Sequence, residues 1–392
     1  MKTCVIGCAM LLLLQCKAPM QEPEVRRALG ADAVPAGAEA DATAVLAEPL
    51  GDFTDLGALR GKRAVGWSEP YLPAGVFAGG DPWMGQELET GRWWVFYTLG
   101  PNPEVGAQIY RRSADTPLGP WSDAQVALTS TPKEAGLQAL RDTHGVETIT
   151  ACRVSGRWFW LYMAHDKLNR DWIYAAESHS LNGPLRKLGP VSGPTLRWEM
   201  DIFNSATRVI DSMYGEPSVI SRPFGLLSLY SVRSPSPNGE RVKSSIMHSP
   251  PGHHGVTWLK RPQPVWNPPG RFGQRGVVVS INHGGWTFID GVYRAFHIRG
   301  GKFPYGPGQR GVHHTWSTDL QTWHLDPDNP VIPTGVEGSD TYGHVGGPHP
   351  FMWEGRLHVV YHAQAHPLEE VEAATGKPYG SKGRHLRLAV VQ

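Results

Sequence analysis

The segment GRWWVFYT, at residues 91–98, begins with a turn glycine and continues as an aromatic and β-branched run. Four later segments resemble it: GRWFWLYM from residue 156, GLLSLYSV from 225, GVYRAFHI from 291 and GRLHVVYH from 355. Their glycines are separated by 65, 69, 66 and 64 residues. Each run fits a buried or half-buried strand that follows a tight turn. The chain therefore repeats one unit of about 66 residues five times.

A second landmark keeps step with the first. A serine closes a strand-like run in each of the first four units, and a Trp or Leu follows it: the serines are Ser113, Ser178, Ser249 and Ser317. Each unit thus predicts a four-stranded antiparallel meander, and five of them predict an all-β, five-bladed β-propeller. The predicted blades are 78–125, 144–192, 213–266, 277–332 and 343–392.

The fifth unit is short. It ends in GRHLRLAVVQ, which supplies a third strand, so an N-terminal strand near KRAVGW at 62–67 is expected to complete the blade. The alternative fold is a two-sheet sandwich with an accidental period. Sandwiches do not repeat in register, which favours the propeller.

Composition agrees with a turn-rich β protein. The chain has 392 residues with 46 Gly, 34 Pro and 15 Trp, and its net charge is +1. Near-balanced charge gives no support for nucleic acid as a partner. The sequence contains no HExxH, P-loop or GxSxG motif, so serine-hydrolase and phosphate-dependent chemistry lack support. We expect a monomer.

The N-terminus predicts export. Lys2 precedes the short apolar core AMLLLLQ, and Cys16 begins the lipoprotein-like CKAP, although Gln15 departs from the usual lipobox. Residues 1–16 are therefore interpreted as a signal peptide with Cys16 as lipid attachment site, 17–50 as an Ala/Pro/Glu-rich tether, and 51–392 as the propeller. Plain secretion and a mis-assigned start are the alternatives. The expected location is the outer membrane or cell surface, or the periplasm or medium. After processing only Cys152 remains, so no intrachain disulfide is expected.

The innermost strand of each blade precedes the turn glycine, and its first residues converge on the propeller axis. Reading back nine or ten residues from the glycine gives Asp81, Glu147, Glu216 and Asn282 in the first four blades. The fifth blade offers the segment YGHVGGPHPF, which contains two histidines. Acidic residues therefore head three of the five blades.

Such a ring suits glycosidic bond cleavage, which needs one carboxylic acid as proton donor and one carboxylate as base or nucleophile. A third acid nearby can raise the pKa of the donor. The competing interpretation is structural, because Asp-Pro and Glu-Pro are common turn pairs. Asp81 lies ten residues before its glycine, whereas Glu147 and Glu216 lie nine before theirs, so a bulge is needed to align them.

At these motifs, GGDPWM, SADTPLGPW, GEPSVI, STDLQTW and VVYHAQ, residues 78–392 resemble the five-bladed propeller glycoside hydrolases of family 43, with relatives in families 32, 62 and 117. The resemblance implies that Asp81 is the general base or nucleophile. It implies that Glu216 is the carboxylate that modulates the acid, or alternatively the acid itself. Glu147 matches an acidic residue that relatives use as a substrate or structural contact, and it is a further candidate for proton delivery.

The fourth blade departs from the family pattern. Its segment SINHGGW lacks the expected Glu and offers His283, and one relative, the anhydro-galactosidase group, is considered to use a histidine as acid. Relatives also hold a cation near a fifth-blade histidine, so the resemblance makes His344, or alternatively His349, a candidate ligand of a structural calcium. No cofactor is otherwise expected. For substrate binding we expect Trp83, Trp286, Asn282 and His349, since sugars stack on aromatic rings and need polar neighbours.

These expectations describe an exported glycoside hydrolase that acts on oligo- or polysaccharide. Its partners would be carbohydrate and, through the lipid, a membrane. The alternative is a non-catalytic glycan-binding lipoprotein on the same scaffold, which the missing fourth-blade Glu favours. A protein-binding propeller is a third possibility, and it predicts aromatic residues on the outer loops.

Overall fold

The structure is a computed structural model. It describes residues 50, 53–60, 75–76, 78–102, 106–131, 142–165, 171–200, 203–204, 209–210, 213–234, 241–265, 282–298, 311–335, 339, 341, 344–365 and 384–391. The predicted signal peptide, with Cys16, and the tether up to residue 49 lie outside the described residues. Within the described ranges, no helix is long and apolar enough to cross a membrane.

The described chain is built almost entirely of strands, with one helical turn, α1 (Arg197–Met200). The strands in chain order are β1 (Phe53–Ala58), β2 (Gly80–Gln86), β3 (Trp93–Asn102), β4 (Gly106–Ala114), β5 (Gln125–Leu128), β6 (Val146–Val154), β7 (Arg157–His165), β8 (Asp171–Ser178), β9 (Arg186–Ser192), β10 (Phe203–Asn204), β11 (Val209–Ile210), β12 (Met213–Arg222), β13 (Gly225–Ser234), β14 (Arg241–Ser249), β15 (Leu259–Lys260), β16 (Asn282–Ile289), β17 (Val292–Ile298), β18 (Gly311–Ser317), β19 (His324–Leu325), β20 (Ile332–Pro333), β21 (His344–Trp353), β22 (Arg356–Gln364) and β23 (Arg384–Val391).

These strands form five antiparallel blades in which sequence neighbours pair. The first four are β2-β3-β4-β5, β6-β7-β8-β9, β12-β13-β14-β15 and β16-β17-β18-β19, with β20 added beside β18. The fifth is β21-β22-β23-β1, and β10 and β11 form a separate two-stranded ribbon. The prediction of a five-bladed propeller is therefore confirmed, and the sandwich alternative is wrong.

The ring closes through an N-terminal strand, as expected, but through a different one. The outer strand of the fifth blade is β1, paired with β23, whereas residues 62–67 lie outside the described residues. Asp55 of β1 forms an ion pair with Arg387, and the Tyr361 hydroxyl donates to its Oδ1 at 3.2 Å. A short strand containing Asp and Gly has little β propensity of its own, so pairing and side-chain contacts select it.

The hydrophobic core lies between neighbouring blades, in five clusters. Cys152 is buried in the cluster between the second and third blades, and burial raises the pKa of its thiol. It is therefore the inert thiol that its apolar run predicts. The repeated serine also has a structural role, since Ser178 Oγ accepts from Trp160 Nε1 at 2.9 Å and Ser317 Oγ accepts from Leu320 N at 2.9 Å.

A β-bulge interrupts the start of every innermost strand. The register shifts lie between Gly80 and Trp83, Glu147 and Ile149, Gly215 and Ser218, Asn282 and Gly285, and Gly346 and His349. In four blades two bulge residues of the innermost strand lie opposite one residue of the next strand. In the second blade one bulge residue, Thr148, has no residue opposite it. Bulges re-aim side chains, and here they occur at the same place in each blade.

Side chains just after the bulges join the second, third and fifth blades to the blade that follows each of them. The bonds are Val219 N–H to Thr150 Oγ1 at 3.3 Å, Trp286 N–H to Ser218 Oγ at 3.2 Å, and Met84 N–H to His349 Nδ1 at 3.4 Å. Each acceptor lies near the bulge of one blade, and each donor lies in the following blade. Edge backbone groups of the innermost strands are thereby satisfied across the joints.

A buried ion pair fixes the connection between the second and third blades. Glu199 in α1 is fully buried and accepts from Lys260 Nζ at 2.8 Å and from the Tyr230 hydroxyl at 2.8 Å. Its other bonds come from the backbone N–H groups of Thr195 and Leu196. Burial lowers the pKa of Lys260, and Glu199 opposes that effect.

Replacing Lys260 by Met should lower the free energy of unfolding by about 3–5 kcal/mol, because the buried Glu199 carboxylate would lose its cation. Urea unfolding measures this change. The matched control is Arg186→Met, which removes one cation of the exposed cluster at Glu177 and should cost about 0.5 kcal/mol or less. Equal losses in the two variants would contradict the assignment.

Candidate active site

The first residue of each bulge defines a ring around the axis, called here the head ring. Its members are Asp81, Thr148, Glu216, His283 and Gly347, from the first to the fifth blade. Four of them have positive φ angles: 46° at Asp81, 46° at Thr148, 53° at Glu216 and 56° at Gly347. This region is unfavourable for residues other than glycine, and most of all for β-branched threonine. Such strain persists only where surrounding contacts hold it, and it is frequent at functional sites.

The bulges converge on a small axial cavity of about 30 Å³. Residues of all five bulges line it, including Asp81, Thr148, Pro217, Gly284 and Gly347. A water molecule needs roughly 10–15 Å³ by this measure, so the cavity has room for about two waters. The cavity itself is therefore too small to hold a sugar ring.

The structure places Asp81 and Glu216 at equivalent positions, as predicted. Glu147 and Asn282 were predicted to be head-ring residues, but each lies one residue before the head ring. They pair with Met163 and Ile298, directly before the bulges of their blades. The head-ring positions of the second and fourth blades belong to Thr148 and His283 instead. A bulge was expected from the spacing, but counting from the turn glycine cannot tell which residue it displaces.

Asp81 is 8% exposed and is held by the fifth blade. Its backbone N–H donates to Nδ1 of His362 at 3.1 Å. The same nitrogen lies 3.5 Å from Asp81 Oδ1. His362 is 1% exposed, so this contact between the fifth and first blades is shielded from water.

Glu216 is 3% exposed and is held within its own blade. The Ser231 hydroxyl donates to Glu216 Oε2 at 3.0 Å. The carboxylate of Glu216 is also close enough to Asp171 of the second blade to contribute to raising the pKa of that residue, mainly an effect of burial. Two acids from adjacent blades thus share one electrostatic environment.

Glu147 belongs to a carboxylate–imidazole–carboxylate chain on the second blade. His165 Nε2 lies 3.2 Å from Glu147 Oε1, and His165 Nδ1 lies 2.5 Å from Asp171 Oδ1. Burial alone would lower the pKa of His165, but hydrogen bonds and charges of Asp171 and Glu147 outweigh it and raise that pKa well above 6.5. The two carboxylates therefore favour the imidazolium form of His165, and Glu147 is engaged with it.

The predicted aromatic substrate contacts are wrong on grounds of burial. Trp83 is 3% exposed and packs against Phe96, Trp158 and Trp160 between the first and second blades. Trp286 is 1% exposed, and its Nε1–H donates to the Ser218 backbone oxygen at 2.7 Å. Neither ring has a face available to a sugar.

The fifth-blade histidines have structural contacts. Burial lowers the pKa of His349 to about 3, so its ring is neutral and serves as the acceptor for Met84 N–H while it lines the axial cavity. The ring of His344 packs against that of His362, with centroids 5.3 Å apart. Among the described residues, no group of three His, Cys, Asp or Glu side chains could hold a metal ion. The calcium expected near His344 stays a prediction.

Reasoning from the sequence missed Thr148, Gly347, His362 and His165. The VVYHAQ segment contains His362 and was noticed only as a family motif. Thr148 and Gly347 follow from the bulge register alone, which has no sequence period. The His165 cluster joins three separate positions in one blade and carries no local motif.

Several solved structures with the same fold are described as glycoside hydrolases. One titled simply as a glycoside hydrolase aligns with a TM-score of 0.57 at 11% identity, over 92% of this chain and 96% of its own. A family 117 glycoside hydrolase from the marine bacterium Zobellia galactanivorans aligns with a TM-score of 0.55 at 13% identity, over 87% and 90%. The catalytic domain of a family 62 α-L-arabinofuranosidase from Coprinopsis cinerea aligns with a TM-score of 0.57 at 14% identity, over 87% and 97%.

No protein-family model matches the chain, and no curated protein matches it in sequence. The sequence resemblance is nevertheless confirmed at the level of the fold. The chain has the five-bladed propeller fold that these glycoside hydrolases share, over nearly their full length.

Replacing Gly347 by Ala should destabilise the protein more than the same change at Gly355. Both have positive φ, which costs an alanine about 1–2 kcal/mol. At Gly347 the new Cβ would also lie 2.7 Å from His362 Nδ1 and 3.0 Å from Asp81 Cα, whereas at Gly355 nothing lies within 4 Å. Thermal unfolding should show a further loss of about 1–3 kcal/mol at Gly347. Equal losses would show that position 347 is not crowded.

The charged state of His165 predicts a pH-dependent contribution to stability. Its folded pKa is raised, so the contribution is complete below the unfolded pKa and is lost as pH rises through the folded value. His165→Gln should therefore cost more stability at pH 6 than at pH 10. Denaturant unfolding of both proteins at the two pH values measures this, and a cost independent of pH would contradict a charged His165.

Proposed function

We propose that the protein is a glycoside hydrolase that cleaves glycosidic bonds of oligo- or polysaccharide at the head ring. The observation that carries the proposal is the shared position of three candidate residues at the start of equivalent bulges in the innermost strands. Asp81 and Glu216 begin equivalent bulges in the first and third blades, and His283 begins the equivalent bulge in the fourth. Bulge residues of all five blades line one axial cavity, among them Asp81 and the residues directly after Glu216 and His283, which supports a common site.

The chemistry needs a base or nucleophile and a proton donor. Asp81 takes the first role: it activates water, or it attacks the anomeric carbon directly. Glu216 is buried and near Asp171 of the second blade, and its proposed role is that of the acid or of a carboxylate that raises the pKa of a neighbouring donor. Because each group stands on a rigid blade, little reorganisation accompanies the reaction.

His283 is the proposed proton donor to the leaving oxygen. Its backbone position matches those of Asp81 and Glu216, which the spacing of the sequence alone did not settle. A protonated imidazole delivers a proton efficiently near neutral pH, and the neutral ring left behind can recover it from water. Glu147 is less suited to this role, because it lies one position before the head ring and is engaged with His165.

The second candidate is a glycan-binding protein without catalysis. The sequence favours it at one point, since no carboxylic acid occurs in the SINHGGW segment of the fourth blade. It would use the same head ring and the same ligands.

We also propose export with Cys16 as the lipid attachment site and 17–50 as a tether, which the short apolar leader and the CKAP segment support. Mass spectrometry of the mature N-terminus in the wild type and in Cys16→Ser tests this proposal: the lipid should be present on the wild type and absent from the variant.

Replacing Asp81 by Asn should abolish hydrolysis, with a loss of about 10²–10⁴-fold, because the variant lacks the base. Release of reducing sugar from arabinan, xylan, fructan and agar oligosaccharides measures it. The control is Asp115→Asn, since the Asp115 side chain is 90% exposed in a first-blade turn and should leave the rate unchanged.

Three outcomes decide between the candidates. Hydrolysis by the wild type that is lost in Asp81→Asn supports the enzyme. Full activity in Asp81→Asn rejects this role for Asp81. Glycan binding by the wild type on an array, with no release from any of the four substrates, favours the non-catalytic alternative.

A further inference from the structure

We propose that His362 is a positioning residue for Asp81: a neutral imidazole from the fifth blade that fixes the strained backbone of the reacting carboxylate in the first. This inference rests on the proposed function of Asp81. The contact is direct, since the Asp81 N–H donates to His362 Nδ1 at 3.1 Å. It joins residues 281 positions apart in the chain, and the His362 side chain is 1% exposed.

The fifth blade is shaped to admit this ring. Its head-ring residue is Gly347, where a Cβ would lie 2.7 Å from His362 Nδ1 and 3.0 Å from His362 Cε1. The same Cβ would lie 3.0 Å from the Cα of Asp81. The imidazole of His362 therefore occupies the space that a head-ring side chain would need. The fifth blade contributes a ring from its second strand in place of a side chain from its first.

The geometry assigns the tautomer. A nitrogen that accepts a hydrogen bond from a backbone N–H carries a lone pair, so the proton of neutral His362 is on Nε2. That nitrogen faces Gly346, whose Cβ would lie 2.9 Å from it and 2.7 Å from Nε2 of His344. A second glycine thus gives both imidazoles room, and the ring of His344 packs against that of His362.

The bond matters because of the conformation it holds. Asp81 has a φ of 46°, which a residue with a side chain adopts at a cost unless contacts compensate. A shift of about 1 Å at a reacting group can lower a rate about 10²-fold. Anchoring the Asp81 amide therefore fixes where its carboxylate stands relative to a substrate.

The chain offers a matched control at another joint. Thr148 also has a φ of 46°, and its N–H donates to Thr98 Oγ1 at 3.1 Å, from the second strand of the preceding blade. The two bonds have the same kind of donor and the same place in their blades. Only the bond of His362 ends on a residue with a proposed chemical role.

The test compares His362→Leu, His362→Asn and Thr98→Val. Leucine keeps bulk without an acceptor, whereas asparagine loses bulk and places an amide oxygen near the Nδ1 position. On the oligosaccharide that the wild type cleaves, we expect His362→Leu to lower kcat about 10²-fold with KM little changed. His362→Asn should recover at least about tenfold of that loss, and Thr98→Val should stay within about threefold of wild type.

Three results would overturn the proposal. One is equal kcat loss in His362→Leu and His362→Asn, which would indicate packing rather than a hydrogen bond. Another is a kcat loss in Thr98→Val as large as that in His362→Leu, which would indicate general loosening of the blades. Wild-type kcat in His362→Leu would overturn it as well.

A spectroscopic readout separates this inference from the proposed function. In protein labelled with ¹⁵N-histidine, His362 should show the Nε2–H tautomer, and exchange of the Asp81 amide should be faster in His362→Leu than in His362→Asn. If the wild type hydrolyses nothing, the proposed function fails and these measurements alone decide whether His362 anchors Asp81. If Asp81→Asn abolishes hydrolysis while the Asp81 amide exchanges equally in all variants, the enzyme stands and the positioning role fails.

Discussion

The structure depends on hydrogen bonds that run from the backbone of one innermost strand to a side chain of the preceding blade. They occur in two layers beside the bulges. The layer at the head ring joins Thr148 to Thr98 and Asp81 to His362, and the layer below it joins Val219 to Thr150, Trp286 to Ser218 and Met84 to His349. Together with apolar packing and polar contacts such as the Lys260–Glu199 ion pair, these bonds join neighbouring blades near the axis. The same bonds lie at or beside the bulges, so contacts that join neighbouring blades also orient the head ring.

That coupling explains why one position can carry different residues. The head ring holds Asp81, Thr148, Glu216, His283 and Gly347, and the scaffold beneath them repeats. Asp81 and Glu216 are buried yet retain polar contacts, as a buried carboxyl group requires. The fifth blade replaces a head-ring side chain by the ring of His362. A site of this kind can change its chemistry without rebuilding its support.

The repeat made most of the fold predictable, since period, turn glycines and closing serines locate four blades and the acids Asp81 and Glu216. Three features were beyond it. A bulge adds one residue without a periodic signal, so Glu147 and Asn282 were placed one position late. Closure by β1 depends on pairing with the last blade rather than on its own propensity. Trp83 and Trp286 are close to the head ring in sequence but point into the joints between blades, because side chains alternate along a strand.

The most direct test of the account is a crystal structure of the Asp81→Asn variant soaked with the arabinan, xylan, fructan and agar oligosaccharides. With the proposed roles of Asp81, Glu216 and His283, a sugar should lie over the axial cavity. Its glycosidic bond should lie between residue 81 and the carboxylate of Glu216, with the bridging oxygen in reach of His283. A sugar bound on the outer loops, or over the axis with neither residue 81 nor Glu216 in reach, would contradict it.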